Sequence, residues 1–122
     1  MEGLITMDKR VYEEDFHDWI GLCRSFGIDP LREPEPNLVF ARYADDGNCG
    51  GLADVAFCRD GNWFYVCASH CSCYGLEDQW DPEQFDPLVY FDALAAGRHL
   101  LSIKDKKFDV WLAEATTLGL AA

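Results

Sequence analysis

The dipeptide Asp60-Gly61 separates two strand-like runs, residues 52–59 and 62–69, and this pattern constrains the fold more than any other feature of the chain. A two-residue Asp-Gly loop between alternating apolar runs is typical of a tight β-hairpin. The hairpin would align Cys58 with Trp63. Its apolar face would consist of Ala53, Val55, Phe57, Phe64, Val66 and Ala68, and its mixed face of Asp54, Cys58, Trp63, Tyr65 and Cys67.

The chain before the hairpin predicts one helix and one strand. Within residues 8–26 apolar side chains recur at helical spacing, which predicts an amphipathic helix that ends at Gly27. Residues 29–36 contain three prolines, so a helix cannot continue there. Residues 38–44 are typical of a strand. The apolar stripe of the helix would consist of Tyr12, Phe16, Trp19, Ile20 and Cys23.

The chain after the hairpin predicts helices. Asp81-Pro82 and Asp86-Pro87 each place an N-cap acid before a proline suited to the first helical position. The second of these starts a predicted helix over residues 87–96, and Asp105 can cap a last helix over residues 106–118. The inward side chains would be Leu88, Phe91 and Ala95 in the first of these helices and Phe108, Trp111, Leu112, Ala115 and Leu118 in the last.

Together these patterns predict a single α+β domain over residues 1–122. It would have an N-terminal helix, an antiparallel meander of three or four strands, and C-terminal helices packed on the sheet. A chain of 122 residues with 49% hydrophobic residues can bury one core. It has neither an apolar run long enough for a membrane span nor the pattern of a secretory signal. We therefore expect a soluble cytoplasmic protein with reduced cysteines.

The charge of the chain is strongly acidic and unevenly distributed. The net charge is −12, and residues 77–97 contribute six acids and no base. Such a surface repels phosphate, which argues against direct binding to DNA or RNA, and it attracts basic protein surfaces. Trp80 lies among these acids, and tryptophan is enriched at the centres of protein interfaces.

We therefore predict a surface that binds a basic host protein. The segment also has a structural alternative as a solvated loop. Asp81 and Asp86 could simply cap helices, and Trp80 and Phe85 could simply anchor the segment to the core. Exposed aromatic side chains would equally allow a homodimer. The predicted partner-binding residues are Glu77, Asp78, Trp80, Asp81 and Glu83, with Glu13, Glu14 and Asp18 of the first helix.

Four residues of the types that bind zinc lie within residues 67–73. The hairpin register separates Cys58 from Cys67 by four residues, or roughly 13 Å along the strands, which excludes Cys58 from a shared site. Cys49 remains close enough to Cys67. A small zinc-binding structural domain is thus the alternative to buried thiols without a cofactor, and its ligands would come from Cys49, Cys67, His70, Cys71 and Cys73.

Nucleophilic catalysis has little support in the sequence. Cys71 directly follows His70, but adjacent strand residues point to opposite faces. A nucleophile and its base must instead meet in space, with a third group that orients the base. The chain also contains no phosphate-binding or nucleophile-elbow motif. We therefore expect a protein without enzymatic activity and without catalytic residues.

The segment VCASHCSCYGLEDQW, residues 66–80, resembles an HCSCYG-type segment of small, uncharacterised bacteriophage and prophage proteins. Small acidic phage proteins are similar, as a class, to anti-restriction and anti-CRISPR inhibitors. The resemblance implies an inhibitor that presents carboxylates to the nucleic-acid-binding surface of a defence protein in the cytoplasm of a host bacterium. The residues that carry it are His70, Cys71, Ser72, Cys73, Tyr74 and Gly75 and, more loosely, Glu77 and Trp80.

Overall fold

The computed structural model describes residues 8–45, 50–70 and 75–121 of the chain. These residues form five strands in one sheet and three helices. In chain order the elements are β1 (Lys9–Glu14), α1 (Trp19–Phe26), β2 (Leu38–Asp45), β3 (Gly51–Arg59), β4 (Asn62–His70), β5 (Glu83–Gln84), α2 (Pro87–Ala95) and α3 (Lys106–Ala121).

β3 and β4 form the predicted hairpin. Cys58 pairs with Trp63, and the predicted alignment continues along the whole ladder, so the register is confirmed. The loop residues Asp60 and Gly61 have φ angles of 55° and 79°. A two-residue hairpin loop of type I′ requires positive φ at both positions, and aspartate followed by glycine adopts them readily.

The sheet has the strand order β1-β2-β3-β4-β5. β1 runs parallel to β2, and the other neighbours are antiparallel. The prediction of an α+β fold is confirmed, but the prediction of an N-terminal helix followed by an antiparallel meander of three or four strands is wrong. Within residues 8–26, Lys9–Glu14 is an edge strand and only Trp19–Phe26 is helical.

The N-terminal apolar pattern fits a strand followed by a helix as well as it fits one helix. Val11 and Tyr12 pack into the apolar clusters on opposite faces of the sheet, as adjacent strand residues do. Glu14 has a φ of 60°, which ends the extended conformation. Asp18 then begins α1, where its Oδ1 accepts a hydrogen bond of 2.7 Å from the amide of Gly21. Pairing with β2, which local periodicity does not reveal, stabilises β1.

Each face of the sheet carries a buried apolar cluster. The predicted apolar face of the hairpin lies against α1, and Trp19, Leu22 and Phe26 cover it. The face predicted as mixed is a second core face, because α2 and α3 cover it. The buried side chains of that second cluster are Leu38, Phe40, Ala56, Tyr65, Tyr90, Ile103, Phe108, Trp111, Leu112 and Ala115.

Two predicted helix faces are wrong in detail. In α2 the buried residues are Pro87, Tyr90 and Ala93, whereas Leu88 is 72% exposed. The sequence of α2 is apolar apart from Asp92, so its periodicity does not specify which side faces the core. In α1, Ile20 likewise lies on the exposed side.

The stripe predicted for the last helix is confirmed. Phe108, Trp111, Leu112 and Ala115 are buried, and Leu118 packs against them. Asp105 caps α3 through its Oδ1, which accepts a hydrogen bond of 2.9 Å from the Lys107 amide. Among residues 8–45, 50–70 and 75–121, no helix combines the length and the apolar character that crossing a bilayer requires.

Candidate interaction surface

Residues 75–86, here called the edge segment, run along the side of β4 that faces away from β3. The segment starts on the α1 face, where Leu76 is buried in the first cluster. It ends on the opposite face, where the ring of Phe85 lies 6.4 Å from that of Trp63. Between these two anchors, β5 pairs antiparallel with β4. The edge segment therefore covers the edge of the sheet that lies opposite β1.

Gln79 fastens the edge segment to the end of β4. Its Oε1 accepts a hydrogen bond of 3.0 Å from the Ser69 amide, and its Nε2 donates to the Ser69 carbonyl at 2.7 Å. The same Nε2 donates to the Gly75 carbonyl at 2.9 Å. The amide side chain thus takes the place of a strand neighbour for Ser69, since it offers one acceptor and two donors.

Trp80 anchors the edge segment in the first apolar cluster. Its ring stacks on that of Phe57 at a centroid distance of 5.8 Å and an interplanar angle of 7°. Its edge contacts are with Phe26 at 5.1 Å and Trp19 at 6.0 Å. The indole Nε1 donates a hydrogen bond of 3.0 Å to the Glu33 carboxylate. These contacts give Trp80 the anchoring role that was the alternative to partner binding, and its contact with a partner stays a prediction.

Of the two acids with a predicted capping role, Asp86 caps a helix in the structure and Asp81 does not. Asp86 is the N-cap of α2, because its Oδ1 accepts a hydrogen bond of 2.9 Å from the Leu88 amide. The chain after Asp81 forms β5 instead of a helix. The amide of Phe85 donates to the Trp63 carbonyl at 3.0 Å, which extends the pairing with β4. Asp81 therefore has no capping role.

The acids of the edge segment form one exposed strip, here called the acidic edge, which consists of Glu77, Asp78, Asp81, Glu83 and Asp86. All five residues are exposed. Within the described part of the chain, none of their carboxylates forms an ion pair. No lysine or arginine occurs between residues 77 and 97 to neutralise them. Along this edge the sheet therefore presents negative charge that no ion pair among the described residues compensates.

A groove of about 280 Å³ opens beside the acidic edge, between β4 and residues 100–102. Asp81 and Glu83 line it together with Leu100 and Leu101. Two carboxylates and two apolar side chains at one groove match the chemistry of a lysine or arginine side chain, which has an apolar stem and a cationic end.

The remaining predicted contact acids lie on the other edge of the sheet. Glu13 belongs to β1, and its carboxylate is 3.5 Å from the ammonium of Lys107. Glu14 ends β1, and Asp18 is the N-cap of α1. At about 4.8 Å between neighbouring strands, β1 and β5 are roughly 19 Å apart. The eight predicted residues therefore do not form one continuous patch.

A buried polar cluster on the α3 face was not singled out as a site from the sequence. Asp54 is 1% exposed, and the hydroxyl of Tyr65 donates a hydrogen bond to its Oδ1. Burial raises the pKa of Asp54, against the lowering effects of Tyr65, of the Arg42 charge and of the Cys67 thiol. Arg42 also forms an ion pair of 3.2 Å with Asp105, the cap of α3. The cluster therefore ties three strands to the start of α3.

The predicted zinc ligands lie partly outside the described residues, since Cys49, Cys71 and Cys73 belong to the gaps between them. Cys67 is exposed and follows Tyr65 on the α3 face. His70 lies on the α1 face, where its ring meets that of Tyr43 edge-on at 5.5 Å. While β4 keeps this conformation, Cys67 and His70 do not point toward a common ion. The described residues contain no cluster of three or more potential ligands, and the zinc site stays a prediction.

The sequence predicted the acids of the acidic edge as exposed charge, because a stretch with six acids and no base is visible without a structure. It left open whether Trp80 anchors this segment to the core, and it did not reveal that Gln79 fixes the segment to the sheet. Comparison of the chain with protein-family models, with curated proteins and with solved structures finds no match.

Proposed function

We propose that the protein is a non-enzymatic interaction protein that binds a basic protein surface through its acidic edge. The observation that carries the proposal is the strip of five exposed carboxylates without ion pairs in the described residues. A rigid strip of one charge sign speeds the encounter with an oppositely charged surface and orients it.

The contrast between the two sheet edges supports this proposal. On the β1 edge several acids lie in ion pairs, as in those of Lys9 with Glu114 at 2.7 Å and of Arg10 with Glu35 at 2.8 Å. No carboxylate of the acidic edge forms an ion pair with a described residue. A basic partner would therefore meet a strip of unpaired charge on the β5 side.

The groove beside Asp81 and Glu83 would give the proposed contact a binding site for one basic side chain of the partner. A lysine or arginine of the partner would place its charged group between these carboxylates and its stem against Leu100 and Leu101. Charged hydrogen bonds of this kind, once shielded from water, contribute more to affinity than exposed ion pairs do.

The proposed partner is a protein whose basic surface otherwise binds nucleic acid, since carboxylates in a row can occupy phosphate-binding positions. The resemblance to phage inhibitors makes a bacterial defence complex, of the CRISPR or restriction type, the first class to examine. Binding would take place in the cytoplasm of the host bacterium.

Capture from a bacterial lysate with charge-reversed variants tests this proposal. The variant Glu77→Lys/Glu83→Lys reverses two acids of the acidic edge. The matched control, Asp15→Lys/Asp29→Lys, makes the same change in net charge on exposed residues outside the acidic edge. Captured proteins are identified by mass spectrometry in a series of salt concentrations, with and without short duplex DNA as a competitor.

We expect the wild type and the control to retain nucleic-acid-binding proteins that rising salt and competitor DNA release. The acidic-edge variant should lose them. Retention of the same proteins by the acidic-edge variant, with an unchanged dependence on salt, would contradict the proposal.

A further inference from the structure

β1 is a terminal strand with hydrogen-bonding groups on its outer side. The amide of Lys9 donates to the Asn37 carbonyl at 2.8 Å, and the amide of Asp15 donates to the Tyr43 carbonyl at 3.0 Å. Because successive residues of a strand alternate in direction, the intervening Arg10 and Tyr12 present their amides and carbonyls away from β2. No described strand pairs on that side. Such an edge is a template for pairing with another strand.

The order of charges along β1 selects the orientation of a second copy. The strand reads KRVYEE, with bases at its start and acids at its end. An antiparallel copy of the same strand would place bases opposite acids, whereas a parallel copy would place like charges opposite each other. Opposite charges across neighbouring strands stabilise the pairing, and like charges destabilise it.

Symmetry and backbone conformation favour one register for the pairing of β1 with β1 of a second copy. A two-fold axis between two copies of an edge strand stands perpendicular to the sheet, so residues that face each other must lie on the same face. Glu14 leaves the extended conformation at a φ of 60°, which disfavours a register centred on Tyr12. The register centred on Val11 places Lys9 opposite Glu13 of the second copy and uses the outward groups of Arg10 and Tyr12.

Apolar surface lies beside this edge, and a second copy would cover it. A groove of about 460 Å³ runs between β1 and α3. Val11 and Trp111 line it, and Val110 is 59% exposed beside them. Lys9 and Glu13 lie at the same groove, so the apolar area and the proposed ion pairs adjoin each other.

We propose that the protein forms a two-fold homodimer in which β1 pairs antiparallel with β1 of a second copy, joining two five-stranded sheets into one. The proposal does not depend on the function of the acidic edge, which lies at the opposite side of the sheet. It gives each exposed backbone group of Arg10 and Tyr12 a partner.

A charge-swap experiment tests the dimer. Sedimentation equilibrium of the full chain, mass 13.8 kDa, is measured from micromolar to near-millimolar concentration for the wild type, Lys9→Glu, Glu13→Lys and the double variant. Each single change turns two symmetric attractive pairs into repulsive ones, so we expect the dimer dissociation constant to rise by about ten-fold. The double variant exchanges the two signs and should restore dimerisation.

Two controls separate this effect from net charge and from stability. Arg98→Glu and Asp92→Lys make the same charge changes at exposed residues outside β1 and should leave dimerisation unchanged. Thermal unfolding checks that the single variants remain folded, because Lys9 and Glu13 each have an ion-pair partner on α3. A wild type that stays monomeric at every concentration, or a dimer that the single variants do not weaken, overturns the proposal.

Discussion

Replacing Trp80 distinguishes a structural anchor from a contact residue for a partner. In the structure the indole stacks on Phe57 and donates a hydrogen bond to Glu33. Trp80→Ala removes both interactions, whereas Trp80→Phe keeps an aromatic ring at the stacking position and removes only the hydrogen bond. The two variants therefore separate the apolar contribution from the polar one.

The expected magnitudes follow from these contacts. Truncation of a core aromatic to alanine costs about 3–5 kcal/mol, and Trp80 is only partly buried, so we expect about 3 kcal/mol for Trp80→Ala. Trp80→Phe should cost about 1 kcal/mol. Glu33 is not left without a partner in either variant, because Arg59 lies 3.0 Å from its carboxylate. In a domain of this size, 1 kcal/mol shifts the melting temperature by about 4 °C.

Urea and thermal unfolding followed by far-ultraviolet circular dichroism measure these effects. Leu88→Ala is the matched control, because Leu88 is 72% exposed and its loss should change the free energy of unfolding by less than about 0.5 kcal/mol. An unchanged unfolding midpoint for Trp80→Ala, together with loss of partner capture, would refute the structural role and restore Trp80 as a contact residue.

Two further predictions concern titratable groups. Because burial raises the pKa of Asp54, its ionisation destabilises the fold as the pH rises above the pKa of an unfolded aspartate, near 4. Asp54→Asn should therefore be more stable than the wild type at pH 7, with a difference that shrinks as the pH falls toward 4; a less stable variant at pH 7 would contradict this. Among the described cysteines, burial raises the pKa of Cys23 to about 11, whereas Cys67 is exposed. At pH 8 iodoacetamide should label Cys67 first and Cys23 only after unfolding, and peptide mass spectrometry would reveal the reverse order if burial is not decisive.

The two proposals of an acidic edge and a β1 dimer are geometrically compatible. β1 and β5 are the opposite edges of the sheet, so pairing through β1 leaves the acidic edge of each copy accessible. A dimer of this form would carry two acidic edges at the ends of one continuous sheet. Such an arrangement would strengthen binding to a partner with repeated basic sites.

Short-range chemistry explains the features that the sequence determined by itself. The Asp60-Gly61 loop required positive φ at two consecutive positions, which fixed the hairpin and its register. Asp86 and Asp105 indicated the starts of α2 and α3, because an N-cap side chain accepts a hydrogen bond from an amide only two or three residues later. The composition of residues 77–97 was enough to predict the acidic edge, since charged side chains remain in water unless a buried partner holds them.

Only the tertiary structure decided the features that depend on distant partners. β1 is a strand because β2, which follows it after α1, supplies its hydrogen bonds. Asp54 is buried because helices cover the sheet face that the alternation predicted as mixed, and Arg42 and Tyr65 reach it from neighbouring strands. Trp80 belongs to the core although it stands among acids, because the edge segment folds back onto Phe57. Long-range pairing and packing, which a local pattern does not encode, determined each of these outcomes.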